Sequence, residues 1–274
     1  MNRSSAAMRR ALASTVLCTA LLTTGCATAE SGSAGAAPTA GATTATPGVA
    51  PTRTVQAAVE ATGRTTARTA LRTELGTGAA PAHVISGKGA YDFARDRGTV
   101  SVWLATAARF EEVFAGGRVY VRGDAGDETM PWSYVDRDEV EARHILRAPA
   151  NDPGYTLRQA AMGEKFEQVG EENLSGTPVT RYRGLLTHEA LTLEMTKESR
   201  AKTDRMRDLL GGRIPATVEV WVDERNRAVQ VRLSMEIEGT VSSVSTLTLT
   251  ELGTPVKVVV PSADAAESDA SLLG

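Results

Sequence analysis

Cysteine is nearly absent from this chain. Only Cys18 and Cys26 occur among 274 residues, and Cys18 falls inside a leader, so Cys26 stands alone in the remainder. One cysteine cannot build an internal disulfide framework. A basic excess is also missing. The formal charge is −3, and it becomes more negative once a leader holding Arg3, Arg9 and Arg10 is removed. That balance excludes nucleic-acid binding, which needs a positive field, and a polybasic patch on anionic lipid. No apolar run reaches the roughly 20 residues that a spanning helix needs. Aromatic residues make up 4% of the chain.

Familiar catalytic and metal-binding patterns are missing too. Of His83, His144 and His188, none has a metal-ligand neighbour at useful spacing. His188-Glu189 begins like HExxH, but the residue four places on is Thr192, so the zinc motif fails. His188 then reads as a first-turn residue, with Glu189 complementing the helix dipole. Asp124, Asp127 and Glu128 lack the spacing and the bidentate glutamate of an EF-hand loop. Glu111-Glu112 and Glu171-Glu172 are neighbours on strands, so the members of each pair point to opposite faces and cannot flank one bond. There is no nucleophile elbow, phosphate-binding loop or dinucleotide fingerprint. The residues point to no enzyme, no cofactor and no metal.

A leader occupies residues 1–25, with a positive n-region and an apolar core over 11–22. Its end, Leu22-Thr23-Thr24-Gly25-Cys26, resembles the lipobox of bacterial lipoproteins, although leucine stands four rather than three places before the cysteine. The resemblance implies lipidation of Cys26, a chain anchored on the extracytoplasmic face of the cell membrane, and no free thiol for catalysis. Ordinary secretory cleavage near Ala27 or Ala29 is the alternative. Residues 26–52 are Ala, Thr, Gly, Ser and Pro with little charge, a composition that cannot offset ordering entropy and reads as a disordered tether. As a flexible coil it spans about 28 Å r.m.s.. Residues 53–262 form the expected domain, and 263–274 a flexible tail.

Within the domain, periodicity of two dominates. The clearest case is 214–238, where Val218, Val220 and Val222 alternate with Glu219, Trp221 and Asp223. After a polar turn, Val229, Val231, Leu233, Met235 and Ile237 resume the alternation, the mark of a half-buried strand. Other strands are expected at 65–75, 87–93, 99–104, 109–114, 118–122, 131–135, 166–174, 178–185, 244–252 and 256–260. Glycine-containing turns, such as Ala115-Gly116-Gly117, join several of them into hairpins. A short helix is expected around Val55, Ala58 and Val59. A second starts at Asn151 or Asp152 with Pro153 just inside, and a third spans 188–210 with a nearly all-polar middle. The fold class is α+β, an antiparallel sheet with one face buried. Trp103 and Trp221 lie on the nominally outer face, either as aromatic cover or as a surface for a protein partner.

Several fragments together resemble one family. GKGAYDF with GTVSVWL, RFEEVFAGGRVYVRG, PWSYVDR, RAPANDPGYTLRQ, TPVTRYRG, TVEVWVDERNRAVQVRL and ELGTPVKVVVP look like actinobacterial lipoproteins of the LppX and LprG type, half-barrel relatives of LolA. The resemblance implies a curved antiparallel sheet wrapped around helices and enclosing an apolar cavity for a lipid or acylated ligand. That cavity would be lined by Val100, Val102, Val220, Val231, Leu233 and Met235. Leu191, Met195, Met206 and Leu210 would come from the 188–210 helix acting as a movable lid. A monomeric carrier or sensor without covalent chemistry is one expectation. A ligand-free protein-interaction module, binding through Trp103 and Trp221, is the other.

Overall fold

The computed structural model describes residues 49–76, 81–104, 108–125, 128–237, 241–262 and 266–268. The leader, Cys26 and the tether up to residue 48 lie outside the described residues. Helix α1 (Val49–Thr62) opens the described chain, starting within the stretch expected as tether. A first meander follows: β1 (Thr66–Gly76), β2 (Pro81–Asp92), β3 (Arg97–Leu104), β4 (Ala108–Ala115), β5 (Arg118–Ala125), β6 (Glu128–Thr129) and β7 (Trp132–Asp136). An irregular segment then leads to α2 (Pro153–Ala161). The second meander begins with β8 (Gly163–Leu174) and β9 (Thr177–Leu186). Helices α3 (His188–Leu191) and α4 (Lys197–Leu209) precede β10 (Ala216–Asp223), β11 (Ala228–Ile237) and β12 (Val241–Thr250), and β13 (Ala266–Ser268) ends the described chain.

These strands form a single open sheet in the order β13-β7-β5-β4-β3-β2-β1-β12-β11-β10-β9-β8, with β6 beside β5. Every neighbouring pair is antiparallel except β13 with β7. The two meanders meet where β1 pairs with β12, Leu71 opposite Leu247. Turn chemistry agrees with the sequence. Gly116 and Gly117 both take positive φ between β4 and β5, the two-residue hairpin geometry that glycine allows without strain. Between β10 and β11, Asp223 accepts from the backbone N–H of Arg225 and Arg227 and pairs with the Arg227 guanidinium at 2.7 Å.

The inner face holds the core. Val218, Val220, Val231, Leu233 and Leu247 are fully buried, and α1 lies over β8, β10 and β11, placing Val55, Ala58 and Val59 against them. Asp152 caps α2, accepting from Gly154 N at 2.8 Å. It also pairs with Arg137 at 2.8 Å, and Arg137 in turn donates to the Tyr91 hydroxyl at 2.9 Å. This buried pair ties α2 to the first meander.

Three expectations need correction. The helix at 188–210 is two helices, broken at 192–196. Thr196 caps α4 by accepting from Ser199 N at 3.0 Å, and Glu194 sits at φ 51°, outside the helical range of an L-residue. The strand at 256–260 is irregular, with Val259 and Val260 exposed. The tail contains β13, which pairs with β7.

Candidate functional site

An apolar cavity of about 200 Å³ lies at the β3–β4–β5–β7 end of the inner face. Strand parity builds its floor. Val102 and Leu104 come from β3, Phe110 and Glu112 from β4, Val119 and Val121 from β5, and Val135 from β7. The opposite wall is the irregular segment 140–151, which contributes Val140, Ala148 and Asn151. That segment is fixed from behind, since Ala142 N donates to Glu194 O at 2.7 Å. Leu146, Ala150 and Asn151 all sit at positive φ, a region costing a non-glycine residue on the order of 1–3 kcal/mol. Arg143, His144, Arg147 and Glu141 also line the space.

One polar group breaks the apolar floor. Glu112 is 5% exposed, and its Oε1 accepts from Asn151 Nδ2 at 2.8 Å. Its Oε2 is buried with no hydrogen-bond partner among the described residues. Burial pushes its carboxyl up to about 8, with Asp152 adding to the shift, while the Asn151 hydrogen bond and the Arg147 charge oppose it. At neutral pH the group is mostly the neutral acid. His144 is held below its usual value, first by burial and then by Arg147 and Arg143. The neighbouring Glu111 points outward and pairs with Arg109 and Arg122, as the parity of a strand requires.

A second hollow, about 250 Å³, lies between β9, α3 and the end of α4. His188 lines it with Glu164, Glu189, Arg207 and Arg213. His188 Nε2 lies 2.7 Å from Asp204 Oδ1, and its Nδ1 is buried without a partner among the described residues. Sequence reasoning placed His188 correctly in a first turn, with Thr187 as its cap, but gave no hint of the Asp204 partner on α4. No group of three His, Cys, Asp or Glu residues that could hold a metal ion occurs among the described residues.

The residues expected to line a ligand cavity disperse. Val102 alone lines the 200 Å³ space. Val100, Val220, Val231, Leu233, Met235 and Leu191 belong to the main core, α1 lying over the sheet at β10 and β11, and Leu191 also lines the second hollow. Met195 packs in a separate cluster with Ala142, Ala148 and Tyr155, and Met206 is half-buried against the main core. Leu210 is 38% exposed and faces outward after the break in the helix. Cys26 lies outside the described residues. On the outer face, Trp221 is 6% exposed, packed with Val179 and Val229. Its Nε1 donates to Glu172 and Arg181 stacks over its ring, so it acts as sheet cover rather than as an open surface. Trp103 remains half-buried with Arg109 over its ring.

Glu112 and Asn151 are the site residues that sequence reasoning missed. The signal was present at 110–114, where Phe110, Glu112 and Phe114 share one face of β4. A carboxylate between two inward phenylalanines marks either a buried acid or a break in the core.

No family model matches the chain, and no curated protein matches it. Among solved structures, lipoprotein LppX of Mycobacterium tuberculosis is similar over 77% of this chain and 98% of its own, at 15% identity and a TM-score of 0.49. LprF of Mycobacterium bovis is similar over 79% and 99%, at 12% identity and a TM-score of 0.45. A LolA superfamily protein of Nitrosomonas europaea is similar over 77% and 94%, at 9% identity and a TM-score of 0.30.

Proposed function

We propose that this chain is an extracytoplasmic lipoprotein, anchored through Cys26, that carries or senses a hydrophobic acylated ligand without covalent chemistry. The observation that supports this reading is the 200 Å³ cavity on the inner face. Its floor is valine, leucine and phenylalanine broken by Glu112, and its opposite wall carries Arg143, His144, Arg147 and Asn151. A site with an apolar floor and a few polar groups at its side suits a ligand with an apolar chain and a polar head. Affinity would come from apolar burial, about 25 cal/mol per Å² removed from water. The cavity matches part of one acyl chain and is too small to enclose a multi-chain lipid. The rest of such a ligand would lie outside, towards Arg143 and Arg147.

Native mass spectrometry of protein purified from its own host tests the reading. A near-stoichiometric bound mass that disappears on delipidation is expected, and Val121→Phe, which fills the cavity, should cut occupancy at least about tenfold. Identical masses before and after delipidation would argue for the protein-interaction alternative. Membrane fractionation tests the anchor separately: Cys26→Ser should move the chain from the membrane to the soluble fraction.

A further inference from the structure

Six of the residues that line the cavity are polar or charged, and Glu112 differs from the others in having a buried side-chain atom without a partner among the described residues. Five buried side-chain atoms lack a partner among the described residues, those of Thr69, Glu112, Gln159, His188 and Ser243. Of these residues only Glu112 lines the cavity. An unpartnered buried polar atom costs about 1–3 kcal/mol, and a buried carboxyl in an apolar pocket is a place where a ligand can supply what the protein does not.

We propose that Glu112 selects the ligand: its Oε2 donates a hydrogen bond to the carbonyl oxygen of an acyl ester whose chain fills the apolar cavity. The inference rests on the cavity being a site for a hydrophobic ligand. Asn151 decides the direction of the bond. Its Nδ2–H donates to Oε1 at 2.8 Å, so Oε1 is the acceptor oxygen and the proton of the neutral acid belongs on Oε2. A group that donates needs an acceptor, and an ester carbonyl is an uncharged acceptor carried at the head of an acyl chain. A cationic ligand is disfavoured because Arg143 and Arg147 line the same space. Asn151 is brought into place by the run of positive φ at Ala150 and Asn151, which gives that local strain a use.

Asp152 raises the proton affinity of Glu112 and Arg147 lowers it, while Glu141, Arg143 and His144 line the cavity beside it. With the carboxyl pushed up to about 8, Oε2 carries its donor proton at neutral pH and loses it in mild alkali. Ester binding therefore weakens as pH rises through that value.

The test measures affinities of methyl hexanoate, octane and hexanoate for the delipidated protein, alongside Glu112→Leu and Glu112→Gln, with circular dichroism confirming the fold of each. Comparison of the ester-to-alkane affinity ratio between proteins cancels the different cost of taking each probe from water. In Glu112→Leu the ratio should fall about tenfold, the equivalent of one buried hydrogen bond of about 1.4 kcal/mol. Glu112→Gln retains an N–H donor at the same place, so its ratio should stay within about twofold of the wild type at neutral pH. The wild-type ratio should drop between pH 6 and 9, and that of Glu112→Gln should not. An unchanged ratio in Glu112→Leu, or an equal pH response in Glu112→Gln, overturns the role of Glu112 while octane binding still upholds the cavity as a site. Hexanoate favoured over the ester only when Glu112 is present overturns the ester assignment. Absence of binding by every probe overturns both the inference and the reading beneath it.

Discussion

Glu112 makes stability depend on pH. Its carboxyl is pushed up from an ordinary 4.5 to about 8 by burial, whereas in the unfolded chain nothing buries it. Between those values the folded state holds a proton that the unfolded state has released. Stability attributable to this group is thus fully present below about pH 4.5 and is lost as pH rises through about 8. Replacing it by glutamine removes the dependence. Urea unfolding should find Glu112→Gln as stable as the wild type near pH 4 and more stable by a few kcal/mol at pH 8. A gap of the same size at both pH values would mean that the substitution acts by packing alone. The sequence disclosed half of this residue. Strand parity separates Glu111 from Glu112 without any structure, and the structure agrees. What parity alone cannot supply is the wall opposite, because Asn151 reaches Oε1 only after segment 140–151 has folded across the sheet. Asn151 and Asp152 were equal candidates for the cap of α2, and the structure gives that role to Asp152, leaving Asn151 free to turn inward.

Helices show where local patterns mislead. The sequence from 188 to 210 has helix-forming residues throughout, yet Leu193 and Met195 are drawn into a cluster with Ala142, Ala148 and Tyr155. The chain unwinds there to reach it, exchanging backbone hydrogen bonds with Ala142. Tertiary packing overrides propensity, which is worth only tenths of a kcal/mol per residue. Helix α4 is left with Thr203 as its one buried residue. Helix α1, read from the sequence as a short helix around Val55, Ala58 and Val59, buries those three residues and Thr62, and Thr62 Oγ1 donates to Ala228 O at 3.0 Å. The two helices should therefore differ sharply in stability. Val55→Ala should cost about 2–3 kcal/mol through lost burial and an unfilled cavity. Leu209→Ala, at 88% exposure, should change stability by less than about 0.5 kcal/mol. Hydrogen exchange should show α4 opening well before global unfolding and α1 opening only with it. Equal protection of the two helices would show that α4 is held by more than the contacts described.

At the scale of the whole molecule, the sheet is open and has two ends, and an open edge is a template for pairing with another chain. Most strands are legible from alternation, β6 and β13 excepted and the strand at 256–260 expected in error, and so are the hairpins within each meander. The joining of β1 to β12 is not, because that pairing brings together residues far apart in sequence with no turn between them to set the register. The edges are protected differently. At one end β7 receives the short parallel strand β13. At the other, β8 has no further neighbour among the described residues and is mostly exposed, with Glu164, Lys165, Glu167, Gln168, Glu171 and Glu172 along it. Its pairing with β9 is interrupted twice by register shifts, next to Lys165 at φ 54° and near Gly170. Charge and bulges both discourage docking of a second strand. Replacing Lys165, Glu167 and Glu171 together with threonine leaves the buried Phe166 in place, removes three of the strand's five charges and favours extended backbone at position 165. Light scattering over a concentration series should then show self-association that the wild type lacks under the same conditions, with seeding slowed by proline at Gln168. If the triple variant stays as dispersed as the wild type, neither these three charges nor the backbone at Lys165 guards this edge, and the second register shift, near Gly170, becomes the feature whose removal should release it.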